Sequence, residues 1–145
     1  MGMALGRGRD DFFSVPYAAW NDILELAERY GWQPTRTGPP RRKKAADWCG
    51  SYYSSDGQRV YARDATAIAE ALSQFLAGEP PIAEPAPNPD RDRLRGVISA
   101  VSRQVGVAPN VTGGLPADSW LLEEGGRRYL REFVEFCRRG SFWMG

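Results

Sequence analysis

Histidine is missing from all 145 residues. Its absence removes Ser-His-Asp and Cys-His activation of a nucleophile, the usual general base near neutral pH, and nearly every common zinc constellation. An enzyme built on this chain would have to run on carboxylates, Arg, Lys or Tyr. Cysteine is almost as scarce. Cys49 and Cys137 are too few for a disulfide scaffold and lack the C-x-x-C spacing of a zinc or redox site, so two reduced thiols are expected. Long apolar runs are lacking too: none approaches the roughly 18 residues of a membrane span. The opening Met1-Gly2-Met3-Ala4-Leu5-Gly6 has neither a secretory h-region nor the Ser/Thr of a myristoylation motif. These absences lead to the expectation of a cytoplasmic chain with no membrane partner, no cofactor and no metal.

Charge of one sign does not dominate. Nineteen basic residues face eighteen acidic ones, so no global field recruits nucleic acid or a membrane surface, and electrostatic recognition has to be local. Lys43 and Lys44 are the two lysines and the other basic residues are arginine, which suits either a GC-rich genome or bidentate, stacking contacts.

What is present reads as one α+β domain. Residues 1–13 begin Gly/Arg/Asp-rich and aperiodic, which suggests a flexible tail ahead of a domain over 14–145. Trp20, Ile23, Leu24, Ala27 and Tyr30 recur at helical spacing between Ser14/Pro16 and Gly31. Ala65, Ile68, Ala69, Leu72, Phe75 and Leu76 form a second stripe, with Asp64 as its natural N-cap and Gly78 as its end. A Pro-rich connector, 78–90, follows. A shorter helix is expected from about Arg91 to Gln104, then a loop, a helical turn at Trp120–Leu122, and a helix whose stripe runs from Tyr129 to Cys137. The sequon Asn110-Val111-Thr112 is read as chance, given no leader. The expected fold is about four helices packed on a small antiparallel β-hairpin or three-stranded sheet, with Ser141–Gly145 supplying the third strand.

The hairpin rests on "WCGSYYSSDGQRV". Asp56-Gly57 between two aromatic and β-branched runs predicts a type I′ turn. Tyr53 would then oppose Val60 and Tyr52 would oppose Tyr61. Cys49, Tyr53, Val60 and Ala62 would face the core, leaving Trp48, Tyr52, Arg59 and Tyr61 as an outer aromatic face bordered by a cation.

The stretches "WNDILELAERYGWQP", "SYYSSDGQRV" and "FVEFCRRGSFW" resemble small bacterial proteins that share a helix, a Gly-Trp-x-Pro loop, an Asn/Asp-Gly-Gln hairpin and a Phe-Val-Glu-Phe helix. The likeness covers about Trp20 to Leu72 and Phe133 to Trp143, and it implies no activity.

Three function classes follow. Glu123/Glu124 and Glu132/Glu135 are carboxylate pairs where helical surface charge is expected, and "GRGRDD" lacks the strand, helix and Lys-Ser/Thr of a phosphate loop, so no catalytic residue is assigned. A nucleic-acid-binding accessory protein would use the basic tip Arg41, Arg42, Lys43 and Lys44 with the hairpin aromatics. The favoured expectation is a non-enzymatic protein-interaction module: an immunity- or antitoxin-like protein, an adaptor, or a small subunit of a larger assembly. Its contact residues would be Trp48, Tyr52, Arg59 and Tyr61, since Trp, Tyr and Arg carry interface energy.

Overall fold

A computed structural model describes residues 2–93, Gly96 and 119–145. The first two strands lie where a loose tail is expected. β1 (Gly2–Gly6) and β2 (Phe12–Pro16) form an antiparallel hairpin in which Met3 opposes Val15 and Leu5 opposes Phe13. The reason is a short period-2 alternation: Met3, Leu5 and Val15 are buried, while Ala4, Phe12 and Ser14 face outward. Arg7 secures the turn by donating to the carbonyls of Phe136 and Gly140 and pairing with Asp11 at 3.3 Å.

α1 (Tyr17–Arg29) follows directly, with Pro16 rather than Ser14 as the residue before it. It buries Trp20, Ile23, Leu24 and Ala27, as its spacing predicts, and the chain turns away just past its C-cap Tyr30 at Gly31, whose φ is +102°. A 3-10 turn covers Ala45–Asp47. β3 is only Arg59–Val60, and α2 runs over Ala62–Leu76. Tyr61 is the N-cap of α2, and Asp64 sits inside the first turn rather than capping it. The Pro-rich connector has no regular structure through 88. It is tied back by the amides of Ile82 and Ala83, both donating to the Arg29 carbonyl. Residues 89–93 are helical; the remainder of the helix expected to Gln104, and the sequon, lie outside the described residues apart from Gly96.

α3 (Ser119–Leu122) is the short turn expected around Trp120, and α4 (Glu124–Arg138) buries Leu130, Phe133, Val134, Phe136 and Cys137. Gly126 permits the two helices to abut, because a Cβ there would meet the Trp120 carbonyl oxygen at 1.8 Å. α2 and α4 pack along their apolar stripes.

β4 (Phe142–Met144) completes a four-stranded antiparallel sheet in the order β2-β1-β4-β3. The strand is a central one rather than an addition to an edge. Helices cover one face of the sheet, where Leu5, Val15, Val60, Phe142 and Met144 join Trp20, Phe133 and Phe136 in a single core. Among the described residues no helix covers the other face. Among the described residues no helix is long and apolar enough to cross a membrane.

Glu28 of α1 and Arg91 form a buried ion pair with side chains 5% and 4% exposed, and Arg91 also donates to the Tyr53 hydroxyl at 2.8 Å. The pair fastens the far end of the connector to α1. Removing one charge from a sealed pair strands the other, so Arg91→Met should cost about 3 kcal/mol or more in chemical denaturation, while Glu28→Leu/Arg91→Met together should cost distinctly less. Equal losses would mean that the charges themselves contribute little.

Candidate functional site

The predicted hairpin does not form. No non-glycine residue among those described has positive φ, so Asp56 cannot occupy the first central position of a type I′ turn, although Gly57 does sit at φ +85°. Both edges of β3 are otherwise engaged. Arg59 exchanges backbone hydrogen bonds with Gly38 on one side, and β3 pairs with β4 on the other, Arg59 opposite Trp143 and Val60 opposite Phe142. The run from Ser51 to Asp56 is therefore held by a side chain instead of a ladder. Gln58, fully buried, donates from Nε2 to the carbonyls of Ser51 and Ser54, and its Oε1 accepts from the Asp56 amide at 2.9 Å.

The predicted outer face divides accordingly. Trp48 is buried and donates from Nε1 to the Thr37 carbonyl at 3.1 Å. Tyr52 is buried against Trp32, edge to face with ring centres 5.3 Å apart. Arg59 and Tyr61 remain at the surface, Tyr61 44% exposed with the Arg59 guanidinium 5.8 Å from its ring centre. Cys49, expected toward the core, is exposed; Cys137 is buried as expected, and both thiols are free.

Tyr52 belongs to a polar cluster centred on a buried carboxylate. Its hydroxyl donates to Asp64, which is 3% exposed, while Trp32 Nε1 donates to the same carboxylate at 3.4 Å and Thr35 Oγ1 at 3.3 Å. Trp20 Nε1 in turn donates to the Tyr52 carbonyl at 2.7 Å. Three donors surround one carboxylate at the start of α2, where the helix dipole also favours negative charge. The cluster fastens the 32–35 and 48–53 loops to that helix. Glu132 and Glu135 are engaged on the surface of α4 with Arg128 and Arg138. Among the described residues no group of three His, Cys, Asp or Glu side chains is placed to hold a metal ion.

The open sheet face is different. One row of cross-strand neighbours runs Phe12, Gly6, Trp143, Arg59, since Gly6 opposes both Phe12 and Trp143, and Trp143 opposes Arg59. Gly6 thus separates two aromatics on flanking strands by about 10 Å, twice the interstrand spacing. Phe12 is 63% exposed. The basic tip folds over the same face: the Arg41 guanidinium lies 4.7 Å from the Trp143 ring centre, and that of Arg59 lies 5.6 Å from it. A shallow cavity of about 490 Å³ opens here, floored by Ala4, Gly6 and Gly145 and walled by Arg41, Arg42 and Trp143. Asp56 contributes a carboxylate to its wall. Lys43 turns the other way, toward Trp48 at 5.7 Å, and Lys44 is exposed ahead of the 3-10 turn.

Family models, curated proteins and solved structures yield no match to this chain. The site therefore stands on its own geometry. Of the residues expected from sequence, Arg41, Arg42, Arg59 and Tyr61 meet on or beside the open face, whereas Trp48 and Tyr52 do not. Phe12, Gly6 and Trp143 were not anticipated as site residues, although the alternation of "GMALG" and "FFSVP" carries the signal that would have placed Phe12 on a strand surface.

Burial sets a pH limit on the cluster. The Tyr52 phenol is pushed well above its ordinary value by burial and by the Asp64 carboxylate that accepts its hydrogen bond. Tyr129 is pushed up to about 12, chiefly by burial, and burial also raises the Cys137 thiol. Each group holds its proton more tightly folded than unfolded. The stabilisation is fully present below the unfolded values, near 9 for the thiol and 10 for the phenols, and is lost as pH rises above them. Unfolding free energy should hold steady to about pH 9 and then fall. Tyr52→Phe should lower it at pH 7 and make the decline above pH 10 shallower; an unchanged slope would remove Tyr52 from this account.

Proposed function

We propose that the chain is a non-enzymatic protein-interaction module, of the immunity, antitoxin, adaptor or small-subunit kind, that docks an acidic surface of its partner on the open sheet face. The observation that supports this reading is a local cluster of arginines. Among the described residues, Arg41, Arg42 and Arg59 have no ion pair with a carboxylate, as is also true of Arg9, Arg36, Arg63, Arg127 and Arg131; what sets the first three apart is that they gather beside one strand, with Arg41 and Arg59 over the Trp143 ring and Arg42 lining the adjoining cavity. In a chain with nearly balanced charge, three cations are thereby concentrated around one cavity.

Two of those guanidiniums are preorganised. Held over the Trp143 indole, Arg41 and Arg59 lose little freedom on binding, and a guanidinium so placed can receive a carboxylate in bidentate fashion. Arg59 is further fixed by donating to Ser141 Oγ at 2.9 Å. The same stacking weighs against a nucleic-acid partner. A base needs a free aromatic surface, and the Trp143 ring already has two cations over it.

The test compares poly-glutamate with single-stranded oligothymidylate at low salt. Poly-glutamate should bind, and Arg41→Gln/Arg42→Gln should weaken it roughly tenfold or more, the loss of one charge-assisted contact or two. Arg128→Gln, remote on α4, should leave binding unchanged. Tighter binding of the oligonucleotide, or equal losses in the two variants, would overturn the proposal.

A further inference from the structure

Resting on that docking reading, we infer that the partner presents an extended acidic segment carrying a large aromatic side chain, which enters the slot over Gly6 between Phe12 and Trp143 while flanking carboxylates take Arg41 and Arg42. Charge alone would not need a slot. The row Phe12, Gly6, Trp143 places two large aromatics on either side of a residue with no side chain, and the next row inward, Ser14 opposite Ala4, is also small. The floor is therefore low where the walls are high. Among the described residues, a Cβ built on Gly6 makes only ordinary contacts, at 3.9 Å to the Asp11 carbonyl oxygen and the Phe12 Cβ, so a side chain can be accommodated there.

Phe12 supports the same conclusion. At 63% exposure it is a large apolar side chain on a solvent-facing strand position, and it contributes little to the core beneath. Covering it against an aromatic guest removes apolar area from water on both partners and adds ring–ring contact. The cavity and its arginines lie on the Trp143 side of Gly6, and Phe12 stands beyond its lining on the neighbouring strand, so a segment crossing Gly6 meets cationic and then apolar surface within a few residues. A flexible acidic tail without an aromatic would use only half of this surface.

Gly6 makes the inference testable without disturbing the core. Its φ is not positive and its side-chain position is open, so Gly6→Leu should fold and fill the slot. Binding of two capped pentapeptides is measured by Trp fluorescence and calorimetry: one has phenylalanine between two pairs of glutamates, and the other has serine in its place. The phenylalanine peptide should bind roughly tenfold or more tightly than the serine peptide. Gly6→Leu should erase that difference while leaving the thermal unfolding transition cooperative, and Phe12→Ser provides a second variant should Gly6→Leu fold poorly. Equal binding of both peptides, unaffected by either variant but weakened by Arg41→Gln/Arg42→Gln, would overturn the slot and leave acidic docking standing. Binding of neither peptide, or of oligothymidylate in preference to both, would overturn the two together.

Discussion

The pairing of β4 with β1 on one side and β3 on the other is the interaction on which the rest depends. Leu5 opposes Met144 and Val60 opposes Phe142, so a three-residue strand brings the two ends of the chain together across the centre of the sheet. Closing so long a loop is entropically costly, though the cost grows only logarithmically with length. It is offset by complete burial of Leu5, Val60, Phe142 and Met144, each worth roughly 1.5–3 kcal/mol when withdrawn from water. Strand alternation then has a consequence for the surface. If Phe142 and Met144 point into the core, Trp143 must point out, next to Gly6 and Arg59. The core thereby dictates the site.

Polar contacts hold the loops that frame the site. Asp64, Gln58 and the Glu28–Arg91 pair are buried and engaged by several groups each, and between them they fix residues 32–37, 48–58 and the far end of the connector. Gly38, at the end of the first of these loops, bridges to Arg59 and so sets where the Arg41 tip lies relative to the sheet. A basic tip on an unanchored loop would be a solvated tail. Held at Gly38, it lies over Trp143.

The helices were legible because their stripes are long and amphipathic: Trp20 to Tyr30, Ala65 to Leu76 and Tyr129 to Cys137 each repeat their pattern over several turns. The α+β class followed from them. The strands were not, because they are two to five residues long and their partners are distant in sequence. Asp56-Gly57 carried a strong local turn signal that tertiary pairing overrode: strand 59–60 has only two edges, and Gly38 and Trp143 take them. Trp48 and Tyr52 then became buried supports, and no local pattern distinguishes a Tyr beside a buried Asp from one facing solvent. Of the candidate site, the arginines at 41 and 42 and the pair Arg59 and Tyr61 were readable as surface residues. Phe12 and Trp143 were not, since their exposure depends on a sheet assembled from both chain ends.

The central claim is that recognition occurs on the open face of the sheet and not on the helices behind it. Amide and indole chemical shifts recorded by NMR during titration with the glutamate–phenylalanine peptide test this most directly. Docking on the open face should give the largest changes at Gly6, Phe12, Arg41 and the Trp143 indole, with the amides of α2 and α4 unmoved. Changes centred on the exposed side of α4, with Gly6 and Trp143 silent, would contradict it.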